Sequence, residues 1–128
     1  MNTQKPTIML VEDDSFLVDM YVAKFKELDW DVHVAFDGEQ ALEILKTIKP
    51  HIILLDIRLP KMNGFEVMEH IHANETLSKI PVIFLTNLGQ KEEIRKGMEL
   101  GAAGYLIKAH FTPQEVVEKV EQTLAKQQ

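Results

Sequence analysis

The chain has 128 residues, the length of one globular domain, and 45% of them are hydrophobic, enough for one core. Its formal net charge of -6 argues against nucleic-acid binding, which needs a basic surface, so we expect no direct nucleic-acid partner. The sequence has no cysteine for disulfide or thiolate chemistry, and it shows neither a secretory signal nor an apolar run of membrane-spanning length, so we expect a cytoplasmic protein without a membrane partner.

The first half of the chain predicts three strands separated by two helices. An apolar run over 7–11 predicts a buried strand, and apolar residues at helical spacing predict a first helix over 15–28. Residues 31–36 begin with alternating polar and apolar side chains, which predicts a half-exposed strand at a sheet edge. Apolar positions over 41–48 predict a second helix that stops before a proline, and an unbroken apolar run then predicts a buried strand ending at Asp56.

The next part of the chain continues the alternation. A loop that contains proline and glycine leads into a third helix over 65–71. The apolar run over 82–85 predicts another buried strand, which ends at Thr86. A fourth helix is predicted from about Gln90 to Leu100, and Gly97 makes it the weakest, because an internal glycine costs about 1 kcal/mol relative to alanine.

The last predicted strand is short, covers 105–108 and ends at Lys108. Thr112, a proline and Glu115 form a helix start with a capping box, and an apolar stripe continues this last helix to Leu124. Five strand–helix pairs predict a doubly wound parallel α/β sheet with helices on both faces. Placing the half-exposed and the short strand at the edges gives the strand order 2-1-3-4-5, with a switch point between strands one and three.

Polar side chains follow four of the predicted strands at their C-terminal ends. Glu12 and Asp13 follow strand one, and Asp56, Thr86 and Lys108 end strands three, four and five. Because these ends share one rim of a parallel sheet, three carboxylates meet at the switch point, where they repel unless a cation intervenes. Oxygen ligands of this kind suit a hard divalent ion such as Mg²⁺.

A metal ion beside a lysine and a hydroxyl group is typical of a site that handles phosphoryl groups. The metal ion and the ammonium group of the lysine neutralise the charge of the phosphoryl oxygens, and Thr86 can donate a further hydrogen bond. A carboxylate can also act as the nucleophile and form an aspartyl phosphate. Asp56 lies nearest the centre of the predicted array and is therefore our candidate for that role.

The sequence resembles the response-regulator receiver domains of two-component signalling, similar to chemotaxis regulators. The matching segments are Val11-Glu-Asp-Asp14, Leu54-Leu-Asp56-Ile-Arg-Leu-Pro60 with Asn63-Gly64, Leu85-Thr86, and Gly104-Tyr105-Leu-Ile-Lys108. Each segment alone is common, but their order at successive strand ends is specific. The resemblance implies a flavodoxin-like (βα)5 fold and a single receiver domain over 1–128, with a core over about 7–124 and no visible output domain.

The resemblance also implies roles in phosphoryl transfer. Asp56 is the phosphoacceptor, and its donor is a sensor histidine kinase or a histidine phosphotransfer protein. Asp13, Asp56 and the backbone carbonyl of Arg58 hold Mg²⁺ or Mn²⁺, and Glu12 reaches the metal through water. Lys108 pairs with a phosphoryl oxygen. Such a domain is a phosphoacceptor rather than an enzyme, with at most self-phosphorylation from small donors and slow self-dephosphorylation.

A switch and an output surface follow from the same resemblance. Thr86 bonds the phosphoryl group and moves toward it, while Tyr105 swings inward as the switch aromatic. The surface formed by the fourth helix, fifth strand and fifth helix then contacts a downstream protein.

Two departures from the family pattern lie beside the acceptor. Ala109 follows Lys108 where the family often has a proline after a cis bond, so the sequence leaves that peptide geometry open. Asn87 replaces a residue that is usually small. With the side chain of Arg58 near the same entrance, this predicts a phosphorylated form that lasts longer than in fast-cycling receivers.

Other functions agree less well with the sequence. A Mg²⁺-dependent phosphohydrolase with an aspartyl-phosphate intermediate needs a second aspartate two residues after the nucleophile, where Arg58 stands. A nucleotide- or flavin-binding module needs a glycine-rich loop after strand one, where this chain is acidic. A degenerate receiver that serves only as a binding module is disfavoured because all the site residues are present.

Overall fold

Five parallel strands and five helices make up the computed structural model, which describes residues 5–87 and 91–127. The strands are β1 (Thr7–Val11), β2 (Asp31–Ala35), β3 (Ile52–Asp56), β4 (Val82–Thr86) and β5 (Gly104–Ile107). The helices are α1 (Ser15–Glu27), α2 (Gly38–Leu45), α3 (Gly64–Ala73), α4 (Lys91–Glu99) and α5 (Pro113–Lys126). The sheet order is β2-β1-β3-β4-β5, so the predicted fold class and topology are confirmed.

Hydrophobic side chains fill both faces of the sheet. Along β3, Ile53 and Leu55 pack on the face that carries α2 and α3, whereas Ile52 and Leu54 pack on the face that carries α1 and α5. Alternate residues of a strand point to opposite faces, so an unbroken apolar run is what a strand covered on both sides requires. The edge strand β2 is only partly buried, as its alternating sequence predicts.

Several element ends differ from the sequence prediction. Helix α2 stops at Leu45 because the backbone N–H groups of Lys46 and Thr47 donate to the carbonyls of Glu43 and Ile44, three residues earlier, which tightens the chain into a turn before position 48. Strand β5 stops at Ile107, and Lys108–His110 forms a short 3-10 turn, so the predicted strand end at Lys108 is wrong by one residue.

Some predicted features lie at or beyond the limits of the described ranges. Gln90, the predicted start of the fourth helix, lies outside them, and the described helix runs over Lys91–Glu99. No peptide bond in the described ranges is cis, so the bond between Lys108 and Ala109, left open above, is trans. Within the same ranges, no helix is long and apolar enough to cross a membrane.

Candidate functional site

Three carboxylates converge where β1 and β3 end. Val11 pairs with Leu55 in the parallel register, so the residues that follow them leave the sheet side by side. One carboxylate oxygen from each of Glu12, Asp13 and Asp56 lies within 4.8 Å of the others. Glu12 and Asp56 are buried and Asp13 is exposed, so the cluster has one side open to solvent.

Asp14 supports this cluster without joining it. Its side chain caps α1 by accepting hydrogen bonds from the N–H groups of Phe16, at 3.0 Å, and Leu17, at 3.3 Å. Its own backbone N–H donates to Oε2 of Glu12 at 3.0 Å. The turn that starts α1 therefore also orients the buried glutamate.

Lys108 is the cation of the site. Its Nζ lies 2.6 Å from Oε1 of Glu12 and donates a hydrogen bond to Oδ2 of Asp56 at 2.9 Å. The 3-10 turn that follows β5 projects this side chain across the rim of the sheet, where it is largely buried. The predicted approach of Lys108 to the acids of strands one and three is thus present in the structure.

Burial and charge oppose each other at Glu12 and Lys108. Burial raises the pKa of Glu12 to about 7, and the negative charge of Asp56 adds to this, although the contact with Lys108 lowers it. Burial also lowers the pKa of Lys108, but its bonds to Glu12 and Asp56 outweigh that effect and leave its pKa raised. Lys108 therefore stays charged, and Glu12 binds a proton near neutral pH.

The donor set fits a divalent cation. Three carboxylate oxygens lie close enough to share one ion, and all are the hard oxygen ligands that Mg²⁺ and Mn²⁺ accept. A cation there would also relieve the desolvation of Glu12 that raises its pKa. Arg58 reaches this cluster through its backbone, where its N–H donates to Oδ1 of Asp56 at 3.2 Å.

The two predicted switch residues lie on β4 and β5. Thr86 is the buried last residue of β4 and lies opposite Ile107 of β5 at the same rim. Tyr105 lies opposite Phe84, lower in β5, and its side chain is 41% exposed. The structure thus brings Thr86 to the edge where Asp56 ends and leaves Tyr105 on the outer surface of the edge strand.

Gly64 and Glu93 also matter to the site, although neither was predicted to belong to it. A Cβ on Gly64 would lie 2.4 Å from the backbone oxygen of Asp56, so only glycine lets α3 begin against the end of β3. Glu93 of α4 accepts from Nη2 of Arg58 at 3.3 Å. The asparagine–glycine pair at the start of α3 is a local sequence signal for the role of Gly64. The contact between Arg58 and Glu93 spans 35 positions, and no local sequence signal indicates it.

Comparisons with known proteins agree with this geometry. The family described as the response regulator receiver domain matches residues 8–121. The DNA-binding response regulator MtrA of Mycobacterium tuberculosis is 34% identical over 97% of this chain and 53% of its own length. RpaA of Synechocystis, a DNA-binding dual master transcriptional regulator, is 33% identical over 93% of this chain and 49% of its own length. The chain therefore spans about half the length of these curated relatives.

A solved structure has the same fold and a metal ion. The receiver domain of the sensor histidine kinase PA1611 from Pseudomonas aeruginosa is 26% identical, with a TM-score of 0.85, and the match covers 95% of this chain and 99% of that one. It is described with a magnesium ion coordinated in its active-site cleft.

The expectation that nucleic acid is excluded as a partner is wrong. It rested on the net charge of -6, yet MtrA and RpaA are DNA-binding proteins that match nearly the whole chain. DNA affinity depends on a local basic surface, and this chain covers only about half of either relative. The acidic charge of one domain therefore says nothing about DNA binding by another part of a protein.

Proposed function

The chain belongs to the family of response regulator receiver domains of two-component systems, and from this premise we propose that Asp56 is its phosphoacceptor. Acting as a phosphoacceptor switch is the general function of that family. The observation that carries the assignment is the position of Asp56, which lies within 4.8 Å of two further carboxylates and 2.9 Å from the ammonium group of Lys108.

The chemistry of transfer follows from these contacts. An oxygen of Asp56 forms a bond to phosphorus while the P–N bond of a phosphohistidine donor breaks, and the electron pair stays on the imidazole nitrogen, which takes up a proton. Lys108 already donates to Oδ2 of Asp56 and so stands beside the position of the transferred group, where its charge compensates the phosphoryl oxygens. The proposed donor is a sensor histidine kinase or a histidine phosphotransfer protein.

Glu12, Asp13 and Asp56 are the proposed metal-binding side chains, with the backbone carbonyl of Arg58 as a further ligand. Bound Mg²⁺ or Mn²⁺ supplies positive charge that offsets the acids and the incoming phosphoryl group. Exposed Asp13 marks the side open to solvent, while buried Glu12 is oriented by the N–H of Asp14. The magnesium site of the PA1611 receiver domain supports this assignment.

Thr86 and Tyr105 are the proposed switch. Thr86 ends the strand next to β3, so its hydroxyl group lies at the same rim of the sheet as Asp56, where it can donate a hydrogen bond to the phosphoryl group. Tyr105 is exposed on the neighbouring strand β5, and its ring would turn inward when Thr86 moves. Phosphorylation would then shift a two-state equilibrium and change the affinity for a partner.

Intact-mass measurement tests the acceptor directly. Incubation with acetyl phosphate and Mg²⁺ is expected to add one phosphoryl group, about 80 Da, to the wild-type chain by attack of the carboxylate. Asp56→Asn should show no gain, whereas Asp14→Asn, a matched change in the helix cap beside the site, should behave like wild type. Equal labelling of Asp56→Asn and wild type would refute the assignment.

A further inference from the structure

Arg58 connects the acceptor carboxylate to helix α4. Its backbone N–H donates to Oδ1 of Asp56 at 3.2 Å, and Nη2 of its guanidinium group lies 3.3 Å from Oε2 of Glu93. Glu93 belongs to the first turn of α4. One residue therefore contacts the site through its backbone and a distant helix through its side chain.

The guanidinium group of Arg58 compensates the charge of the Glu93 carboxylate. The side chain of Glu93 is only 21% exposed, and its second oxygen, Oε1, is buried without a hydrogen-bond partner in the described part of the chain. Removing the guanidinium group would leave this partly buried carboxylate without that compensating charge, which is unfavourable. The first turn of α4 can hydrate this carboxylate by moving toward solvent.

Apart from Lys96, whose Nζ lies 4.8 Å from the centroid of the Phe65 ring, helix α4 has little other packing to keep it in place. Gly97 is its one buried residue, and a Cβ there would lie 2.8 Å from the ring of Phe84, so the helix backbone rests directly on that ring. Met98 is exposed and Ile94 is only partly buried. A helix with so little buried apolar surface belongs to the least stable parts of a fold, where one ion pair changes local opening measurably.

We propose that the Arg58–Glu93 ion pair is a charge-exchange switch between the acceptor and α4. While Asp56 is unmodified, Arg58 holds the first turn of α4; when Asp56 is phosphorylated, Arg58 leaves Glu93 for the phosphoryl group. An aspartyl phosphate carries a charge of about -2 in place of the carboxylate's -1, and it offers three phosphoryl oxygens as acceptors, which a guanidinium group binds better than it binds one carboxylate. The side chain of Arg58 is 65% exposed, so the ion pair with Glu93 that must break is weak.

This inference rests on the proposed role of Asp56 and adds a route to α4 that does not pass through Thr86 or Tyr105. Its first test uses the unmodified protein and amide hydrogen exchange of residues 95–99, whose N–H groups bond within the helix. Arg58→Met and Glu93→Gln are each expected to speed this exchange about two- to fivefold, the range for an exposed ion pair. The double variant should exchange no faster than either single variant, because both remove the same interaction.

Glu92→Gln is the matched control. It removes the same charge from the same helical turn, but Glu92 pairs with Arg95 inside α4 rather than with Arg58. Exchange in this variant should stay near the wild-type rate. Equal acceleration by Glu92→Gln and Glu93→Gln, or additive effects in the double variant, would overturn the proposal.

The second test follows the same amides after treatment with acetyl phosphate and Mg²⁺, with intact mass recorded on each sample. In phosphorylated wild-type protein these amides should exchange at the rate found in unmodified Glu93→Gln. In Arg58→Met, phosphorylation should accelerate amide exchange much less. A mass gain without faster exchange would refute the switch and leave the acceptor assignment standing. No mass gain at all would refute both.

Discussion

Nζ of Lys108 lies 2.6 Å from Oε1 of Glu12, and both side chains are buried beside Asp56. The ammonium group is therefore a structural counter-ion as well as the proposed partner of the phosphoryl group. In the absence of metal, Lys108→Met should lower the free energy of unfolding by about 2 kcal/mol at pH 8, because two buried carboxylates lose their cation. Urea unfolding in EDTA measures this loss, and the loss should shrink at pH 6, where Glu12 is protonated.

Lys126→Met, at an exposed lysine in the last turn of α5, is the control for loss of one positive charge, and we expect a change within about 0.5 kcal/mol. Equal destabilisation by the two substitutions would show that Lys108 contributes only net charge.

Glu12 makes stability depend on pH. Its pKa in the folded chain is about 7, against 4.5 for the ordinary group, so between these values the folded state holds a proton that the unfolded state has lost. Its contribution to stability is complete below about pH 4.5 and is lost as the pH rises through about 7. Glu12→Gln should flatten this part of the metal-free stability profile, measured by urea unfolding from pH 4.5 to 8.

Metal binding should show the opposite trend, because it requires deprotonated Glu12. Mg²⁺ is expected to stabilise the wild-type chain more at pH 8 than at pH 6. Glu121→Gln, a change at an exposed residue of α5, is the control for loss of one carboxylate. A profile for Glu12→Gln that parallels both wild type and this control would show that Glu12 does not titrate in this range.

Gly64 is needed for the approach of α3 to the acceptor strand. The added Cβ of Gly64→Ala would lie 2.4 Å from the backbone oxygen of Asp56, so one of the two elements must shift. We expect a loss of about 2 kcal/mol in the free energy of unfolding and slower labelling by acetyl phosphate, since Asp56 is displaced.

Gly104 offers the matched control, because a Cβ there would meet no atom of the described residues within 4 Å. Gly104→Ala should change stability by less than about 0.5 kcal/mol and leave labelling unchanged. Thermal unfolding and a labelling time course distinguish the two glycines, and equal effects at both would contradict the steric explanation.

Features that depend on local sequence were predictable in this chain. The unbroken apolar run before Asp56 indicates a strand covered on both faces, and Thr112 with Glu115 forms the predicted capping box. The convergence of Glu12, Asp13, Asp56 and Lys108 was also predictable, because the parallel topology places the strand ends at one rim.

Features that depend on how two distant elements meet were not predictable. The pairing of Arg58 with Glu93 is set by the position of α4 against the sheet, and no motif encodes that distance. The end of α2 at Leu45 reflects a tight turn that competes with an apolar stripe continuing to position 48. Helical periodicity reports which face is apolar, but it does not report where the last backbone hydrogen bond forms.

The lifetime of the phosphorylated form is the last prediction. Asn87 directly follows the buried Thr86, and Arg58 stands two residues after Asp56, so we expect both side chains to crowd the approach of an attacking water to the phosphoryl group. We expect the phosphoryl group on Asp56 to persist for minutes rather than seconds in Mg²⁺ buffer, as followed by intact mass after removal of acetyl phosphate. Asn87→Ala and Arg58→Ala should each shorten this lifetime, because they open the approach to phosphorus.

The exposed helix residue Glu118→Ala serves as the control and should leave the lifetime unchanged.

Crowding and charge exchange make separable predictions at Arg58. If Arg58 shields the phosphoryl group independently of its pairing with α4, Glu93→Gln should alter helix exchange without shortening the lifetime, since the guanidinium group is then free to stay on the phosphoryl oxygens. Loss of the label within seconds from the wild-type chain would contradict the crowding argument, because it would show that water reaches phosphorus despite both side chains.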